Sequence, residues 1–546
     1  MSPDTDNIAA ALPAMARAQP DAAAVVFARD GRTWSFAELD AESDRLAHGL
    51  ATEGVGRGVR TVLMVPPGPA FFALAFALFK VGAVPVVVDP GMGTRRLGRC
   101  LGEAEPEAFV GIAKAHVARA LLGWARGSLR VRVAVGGLRL PGALSWRGLR
   151  ARGAGGGPYP PALARGAEAA AILFTSGSTG PPKGVVYTHG IFAAQVELLR
   201  RTYGIRPGEV DLVTFPLFAL FDPALGMTAV VPEMDFTRPG RVVPARILEP
   251  IRRYRVTNLF GSPALLDRVS RHGAAAGARL ESLRRVISAG APVSPKVLAR
   301  MAAMLPEGTE VHTPYGATEA LPVTSIASRE ILGETAARAV AGAGVCVGRP
   351  VAGVEVAIVP ITDEAVACWN EGLRLPAGEI GEIAVRGPVV TRAYYNRPAE
   401  TRLAKIPDAR GDGFFHRMGD VGYRDDSGRV WFCGRKAHRV RTAAGTLFSV
   451  ACEGVFNAHP AVRRTALVGV GAAGAARPVL CVELEAGVRR RERGRIEAEL
   501  LALGAAQPRT ASIRTVRFVR AFPVDVRHNA KISRERLAAW AARRRR

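Results

Sequence analysis

Apolar residues fall at helical spacing over residues 34–50, where Phe36, Leu39, Leu46 and Leu50 share one face, and this predicts an amphipathic helix. Residues 70–79 are apolar almost throughout and stop at Lys80. That run is about half a membrane span, so it predicts a buried helix. A short apolar run at 62–65 and a β-branched run at 84–88 flank it, the second stopped by Asp89-Pro90. Strand, helix, strand at this spacing predicts a βαβ unit and a parallel sheet. Apolar runs at 212–215, 258–260 and 286–288 continue the alternation. The Gly- and Pro-rich stretch 151–161 predicts a loop. Past Gly434, Arg-rich helical segments alternate with apolar strands at 466–470 and 479–484. A boundary is therefore expected near 434–437, dividing the chain into residues 1–433 and 434–546.

Composition narrows the class. The chain has 546 residues, enough for about three or four units of ordinary domain size. Hydrophobic residues make up 48% and charged residues 22%, so a large core can form and wholesale disorder is excluded. The net charge is +26, yet only seven of the 74 basic residues are lysine. Such a charge admits nucleic acid, a membrane surface, an acidic partner or an anionic substrate. Aromatics are only 6% and the arginines read as spread along the chain, which argues against nucleic acid. Six scattered cysteines without a C-x-x-C, and an N-terminus without a basic start or apolar core, predict a reduced cytoplasmic protein.

The segment Ile172-Leu-Phe-Thr-Ser-Gly-Ser-Thr-Gly-Pro-Pro-Lys-Gly-Val-Val186 carries the strongest chemistry. An apolar strand runs into Thr175, Ser176, Gly177, Ser178, Thr179 and Gly180, followed by two prolines and Lys183. Small hydroxyl and glycine residues let backbone N–H groups approach a polyphosphate closely. Lys183, one of the scarce lysines, adds positive charge. The segment is neither a Walker A loop nor a nucleophile elbow.

This segment resembles the phosphate loop of the adenylate-forming enzymes, the family of acyl-CoA synthetases, adenylation domains and luciferases. Further motifs match in order: Ser288-Ala-Gly-Ala-Pro292, Tyr315-Gly-Ala-Thr-Glu319, residues 378–388, Arg417-Met-Gly-Asp420, Gly434-Arg435 and Lys531. The resemblance implies an α/β fold. A large N-terminal domain of αβ-layered subdomains and a small β-barrel would precede a small mobile α+β C-terminal domain carrying Lys531. It implies ATP and Mg2+. Gly290, Ala291, Pro292, Tyr315 and Gly316 would meet adenine, Thr318 the phosphate, Glu319 the metal, and Asp420 the ribose hydroxyls, while Gly434-Arg435 would mark the hinge and Arg435 add positive charge for the triphosphate. Lys183 and Lys531 would be catalytic. His189 is equally well a structural histidine, and Cys433 is read as core.

One branch fits more closely. Residues 215–226 depart from most acyl-CoA synthetases in having Ala219 where many have His, and the hinge carries Ala437 where thioester-forming relatives carry Asp or Lys. With residues 231–235, 312–315 and 527–531, this resembles the β-lactone synthetases of bacterial long-chain olefin formation. The branch implies adenylation of a 2-alkyl-3-hydroxy fatty acid and closure to a β-lactone; the alternative is a long-chain acyl-CoA or acyl-AMP ligase. Phe215, Phe218, Phe221, Gly226 and His312 are expected in the acyl pocket. The resemblance further implies a small-molecule lipid acid as substrate. It also suggests an assembly with a thiolase, a reductase and a β-lactone decarboxylase, while the excess positive charge suggests docking on an acidic partner enzyme or peripheral membrane contact.

Overall fold

A computed structural model describes residues 6–175, 181–411, 413–524 and 532–543. The strands Arg60–Met64 and Val84–Val87 pair in parallel, and the helix Pro69–Lys80 joins them, as the βαβ pattern requires. They lie inside a seven-stranded sheet. Ala108–Ile112, Val131–Val135 and Leu144–Ser145 extend it on one side, Ala169–Phe174 and Gly184–Thr188 on the other. All neighbours are parallel except that last pair.

A second seven-stranded sheet runs Glu310–His312, Arg285–Ile287, Asn258–Phe260, Val210–Leu212, Thr228–Val231, Ala23–Phe27 and Arg32–Ser35. Helix Pro69–Lys80 is buried on every side from Phe71 onward. Its one core joins Ala108 and Val110 of the first sheet to Val25 and Ala229 of the second. A helix apolar all round is stable only in such an interior position. The charged end, Lys80, is 0% exposed and is held by Asp40 at 2.6 Å and by Asp44.

An antiparallel eight-stranded sheet, from Tyr315–Ala317 to Val430–Arg435 in chain order, stands where the small barrel was expected. Past Gly434 come a three-stranded sheet of Val462–Val470, Arg477–Leu484 and Val516–Val519, and the helices Ser449–Asn457, Arg493–Ala505 and Arg534–Arg543. Helix Ser449–Asn457 packs on Val430–Arg435 and on Ala336–Val340. A Cβ on Gly454 would sit 2.4 Å from the Ala339 carbonyl, so this approach requires glycine.

Boundaries differ from expectation in instructive ways. The helix expected over 34–50 spans Phe36–Thr52, because Ser35 and Glu38 form a capping box and Trp34 belongs to strand Arg32–Ser35. The strand expected at 212–215 is Val210–Leu212, since Phe215 has turned into the cavity described below. Helix Trp146–Arg152 runs into the loop expected from residue 151.

Candidate active site

The parallel strands Arg60–Met64, Val84–Val87, Ala108–Ile112 and Ala169–Phe174 end side by side, and a cavity of about 1310 Å3 opens beyond their carboxyl ends. Open α/β sheets bind ligands at that edge. One wall is apolar and formed by Phe71, Ala75, Phe79, Phe192, Phe215, Phe218 and Phe221. A second apolar wall lies over the opposite face of the same sheet and includes Met64, Val88, Leu97, Ala115, Ala118 and Trp124. The polar end is lined by Thr175, Lys183, Gly290, Gly316, Thr318, Glu319 and Arg435.

The expected phosphate residues meet here as far as they are described. Thr175 N–H donates to the Lys183 carbonyl at 3.0 Å, and Lys183 N–H donates to Thr175 Oγ1 at 3.2 Å. These bonds close the base of the connection between Ala169–Phe174 and Gly184–Thr188. Lys183 Nζ stands 4.6 Å from the centre of the Tyr394 ring, a cation–π contact. Ser176, Gly177, Ser178, Thr179, Gly180 and Lys531 lie outside the described residues.

Glu319 is fixed from several sides. Tyr394 donates its hydroxyl to Glu319 Oε1 at 2.8 Å. Thr391 donates its N–H and its hydroxyl to the Glu319 carbonyl at 2.9 and 3.1 Å. Lys405 in turn donates to the Thr391 carbonyl. Tyr187 donates to the Thr318 carbonyl at 2.6 Å. A single positioned carboxylate suits Mg2+, which takes one or two protein ligands and otherwise keeps phosphate and water oxygens. Among the described residues no group of three or more His, Cys, Asp or Glu could form a metal cage by itself.

Asp420 is 4% exposed and faces Arg435 across the antiparallel pair that joins their strands. Arg435 Nη1 lies 3.0 Å from Asp420 Oδ1. Burial pushes the Asp420 carboxyl above its usual range in spite of that guanidinium. Oδ1 has the charge contact but no well-formed hydrogen bond among the described residues, which fits a group that accepts from a ligand hydroxyl. Tyr315 donates its hydroxyl to Asp420 Oδ2 at 2.6 Å, and its ring lies beside Phe432 rather than lining the cavity. Asp420, Ala291 and Pro292 also fall outside the lining, which Gly419 and Arg435 reach beside Asp420, whereas Gly290 lines it with φ +95°.

Two expected acyl-pocket residues do not line the cavity. Gly226 is the left-handed end of the short helix Asp222–Leu225, and a Cβ there would press on Pro207. His312 packs its ring against Tyr203 at 5.3 Å instead. His189 is structural: it is buried, its Nδ1 accepts from Ile8 N–H at 3.4 Å, and burial lowers its pKa to about 4. Cys433 is core, its thiol pushed up to about 12 by burial.

Sequence reasoning missed Tyr187, Thr391, Tyr394 and Lys405. Only Lys405 carried a signal, as one of seven lysines. It also missed the buried Glu382, which pairs with Arg417 at 2.6 Å and with Lys436 at 3.2 Å where the chain passes the hinge.

The chain matches the AMP-binding enzyme family over residues 12–395. It is 52% identical to the olefin beta-lactone synthetase of Xanthomonas campestris pv. campestris, with 99% of this chain and 98% of the relative covered. Identity to the olefin beta-lactone synthetase of Stenotrophomonas maltophilia is 51%, covering 98% of each. The amide bond synthetase McbA of Marinactinospora thermotolerans superposes with a TM-score of 0.78 at 25% identity, covering 97% of this chain and 99% of that structure.

Proposed function

The chain belongs to the AMP-binding enzymes and is an ATP-dependent, AMP-forming ligase, and we propose that its reaction is β-lactone formation from a 2-alkyl-3-hydroxy fatty acid in long-chain olefin synthesis. The observation that carries this reading is the likeness to olefin beta-lactone synthetases over 99% of the chain. The cavity accords with it, because two apolar walls flank one polar end and offer room for two alkyl chains.

In the first step the substrate carboxylate attacks the α-phosphorus of ATP, and pyrophosphate leaves. Lys183 and Lys531 stabilise the charge that grows on the phosphate oxygens, as preorganised cations do. Thr175 to Gly180 cradle the phosphates, Thr318 and Glu319 face the same charge, and Asp420 with Arg435 receives the ribose. Glu319 would hold Mg2+, which when bound neutralises phosphate charge. Gly290 and Gly316, which line the cavity, would meet the base, with Ala291, Pro292 and Tyr315 outside the lining.

In the second step the 3-hydroxyl oxygen attacks the acyl carbon, the bond to AMP breaks, AMP leaves and the hydroxyl proton is released. The nucleophile is already held beside its target, so closure needs no external acceptor. Residues 1–433 would bind both substrates, and residues 434–546 would bring Lys531 to them.

The test compares a 2-alkyl-3-hydroxy acid with its 3-deoxy analogue. Both should release pyrophosphate in the first turnover, but only the hydroxy acid should turn over repeatedly without an acceptor. Equal sustained turnover of both acids only when CoA is added would favour the acyl-CoA ligase alternative.

A further inference from the structure

The charge is not evenly spread. Between residues 108 and 167 there is no Asp or Glu, and there are ten basic residues. At the chain's own average about five acids would fall there. This corrects the reading of dispersed arginines. Among the described residues Lys114, Arg119, Arg126, Arg130, Arg132 and Arg139 have no acidic side chain within ion-pair distance. Arg126 donates to the Ala120 carbonyl at 3.1 Å, next to Arg119, and burial together with the charges of Arg132 and Arg126 lowers the Arg119 pKa.

The same segment exposes large apolar side chains. Val117 and Leu121, one turn apart on the helix Ala113–Leu122, are 49% and 78% exposed, and Leu122 beside them is 53% exposed. Leu138, in the loop after the strand Val131–Val135, is 68% exposed. Single exposed apolar side chains are ordinary, but three within six residues on one short helix form a surface. Ala115 and Ala118 of this helix, and Trp124 just after it, form part of the second cavity wall. The helix therefore has one face on the cavity and another on solvent.

We propose that this face, an apolar ridge of Val117, Leu121 and Leu122 with Arg119 on the same helix and Arg126 bonded to its Ala120 carbonyl, docks on an anionic phospholipid bilayer and sets the second cavity wall against it. Apolar side chains at the acyl boundary with Lys and Arg at the headgroups are the pattern of a surface-lying helix. The positive charge complements the negative potential of such a surface, an attraction that salt screens. A two-chain lipid acid resides in membranes, so its entry would not cross bulk water. This purpose rests on the proposed substrate, whereas the docking itself does not.

The experiment is co-sedimentation of the full chain with vesicles, without ATP or acid. Failure here is therefore separable from failure of the lactone reading. Phosphatidylcholine vesicles containing phosphatidylglycerol should carry the protein down, pure phosphatidylcholine vesicles should not, and rising salt should release it. Leu121→Asp with Leu122→Asp, and separately Arg126→Glu, should each weaken binding about tenfold, with thermal unfolding of the free protein unchanged. No sedimentation with anionic vesicles, or sedimentation indifferent to both variants, overturns the proposal. Retention on immobilised polyglutamate without vesicle binding would overturn it too, by assigning the face to an acidic protein.

Discussion

Tyr315 donates its hydroxyl to Asp420 Oδ2 at 2.6 Å, while Arg435 stands 3.0 Å from Oδ1, so one buried carboxylate is oriented from both sides. The aromatic of one motif thus positions the carboxylate of another 105 residues away. Tyr315→Phe should therefore raise the KM for ATP about tenfold, the scale of one hydrogen bond to a charged group, with kcat changed less. Asp420→Ala should weaken nucleotide binding further. Titration calorimetry with a non-hydrolysable ATP analogue checks both, and unchanged affinity in Tyr315→Phe would remove the positioning role.

Glu319→Ala and Lys531→Ala separate binding from chemistry. Each should lower pyrophosphate release by about 100-fold or more, the usual cost of losing one preorganised charge. Lys531→Ala should keep its affinity for ATP, whereas Glu319→Ala should need more magnesium. Normal pyrophosphate release from either variant contradicts its assignment.

Lys80 is fully buried between Asp40 and Asp44. Lys80→Ala strands two carboxylates in the core and should cost about 3–5 kcal/mol in urea unfolding. Lys80→Met combined with Asp40→Leu and Asp44→Leu should recover most of that loss. The triple variant failing to exceed Lys80→Ala would show that the site does not act as a closed charge network.

Lys405 yields a pH prediction with a definite sign. Burial lowers its pKa from 10.5 to about 7. The unfolded chain therefore binds more protons between these values, and the group's penalty to the fold shrinks as pH rises through that window. Relative to wild type, Lys405→Met should gain most near pH 7 and lose a few kcal/mol of that advantage by about pH 10. Urea midpoints across the range test this; a constant difference would mean that Lys405 is not depressed in the fold.

Much of this architecture is legible in the sequence because hydrophobic pattern and local chemistry agree. The apolar run at 70–79 had to be interior, and the Ser35–Glu38 capping signature sets the helix start better than periodicity does. The runs at 84–88 and 258–260 appear as the strands Val84–Val87 and Asn258–Phe260, with Val88 and Phe260 also lining the cavity. Phe215 looked like strand because it is apolar, but its partner is a cavity rather than a sheet. Within the site, small and charged residues with fixed spacing were readable. Tyr187, Thr391 and Tyr394 were not, because each acts through a contact about 70 to 130 residues away that no local pattern encodes. His312 was placed in the pocket by its neighbours in sequence, yet its ring is held by Tyr203.

The two cavity walls make separate predictions. Ala75→Trp should fill the first and Ala118→Trp the second. Each should shift preference toward acids shortened on a different chain, raising KM for the long two-chain acid by about tenfold or more. A loss with both variants that falls on the same chain would mean that the walls serve one chain.

The central claim is that the acyl adenylate is resolved by the substrate's own hydroxyl. The most direct measurement is product identification by NMR and mass spectrometry after incubation with ATP, magnesium and a 2-alkyl-3-hydroxy fatty acid, with CoA rigorously excluded. A β-lactone and AMP are expected in equal amounts. Adenylate that accumulates without lactone until CoA is supplied, and then yields a thioester, would contradict it.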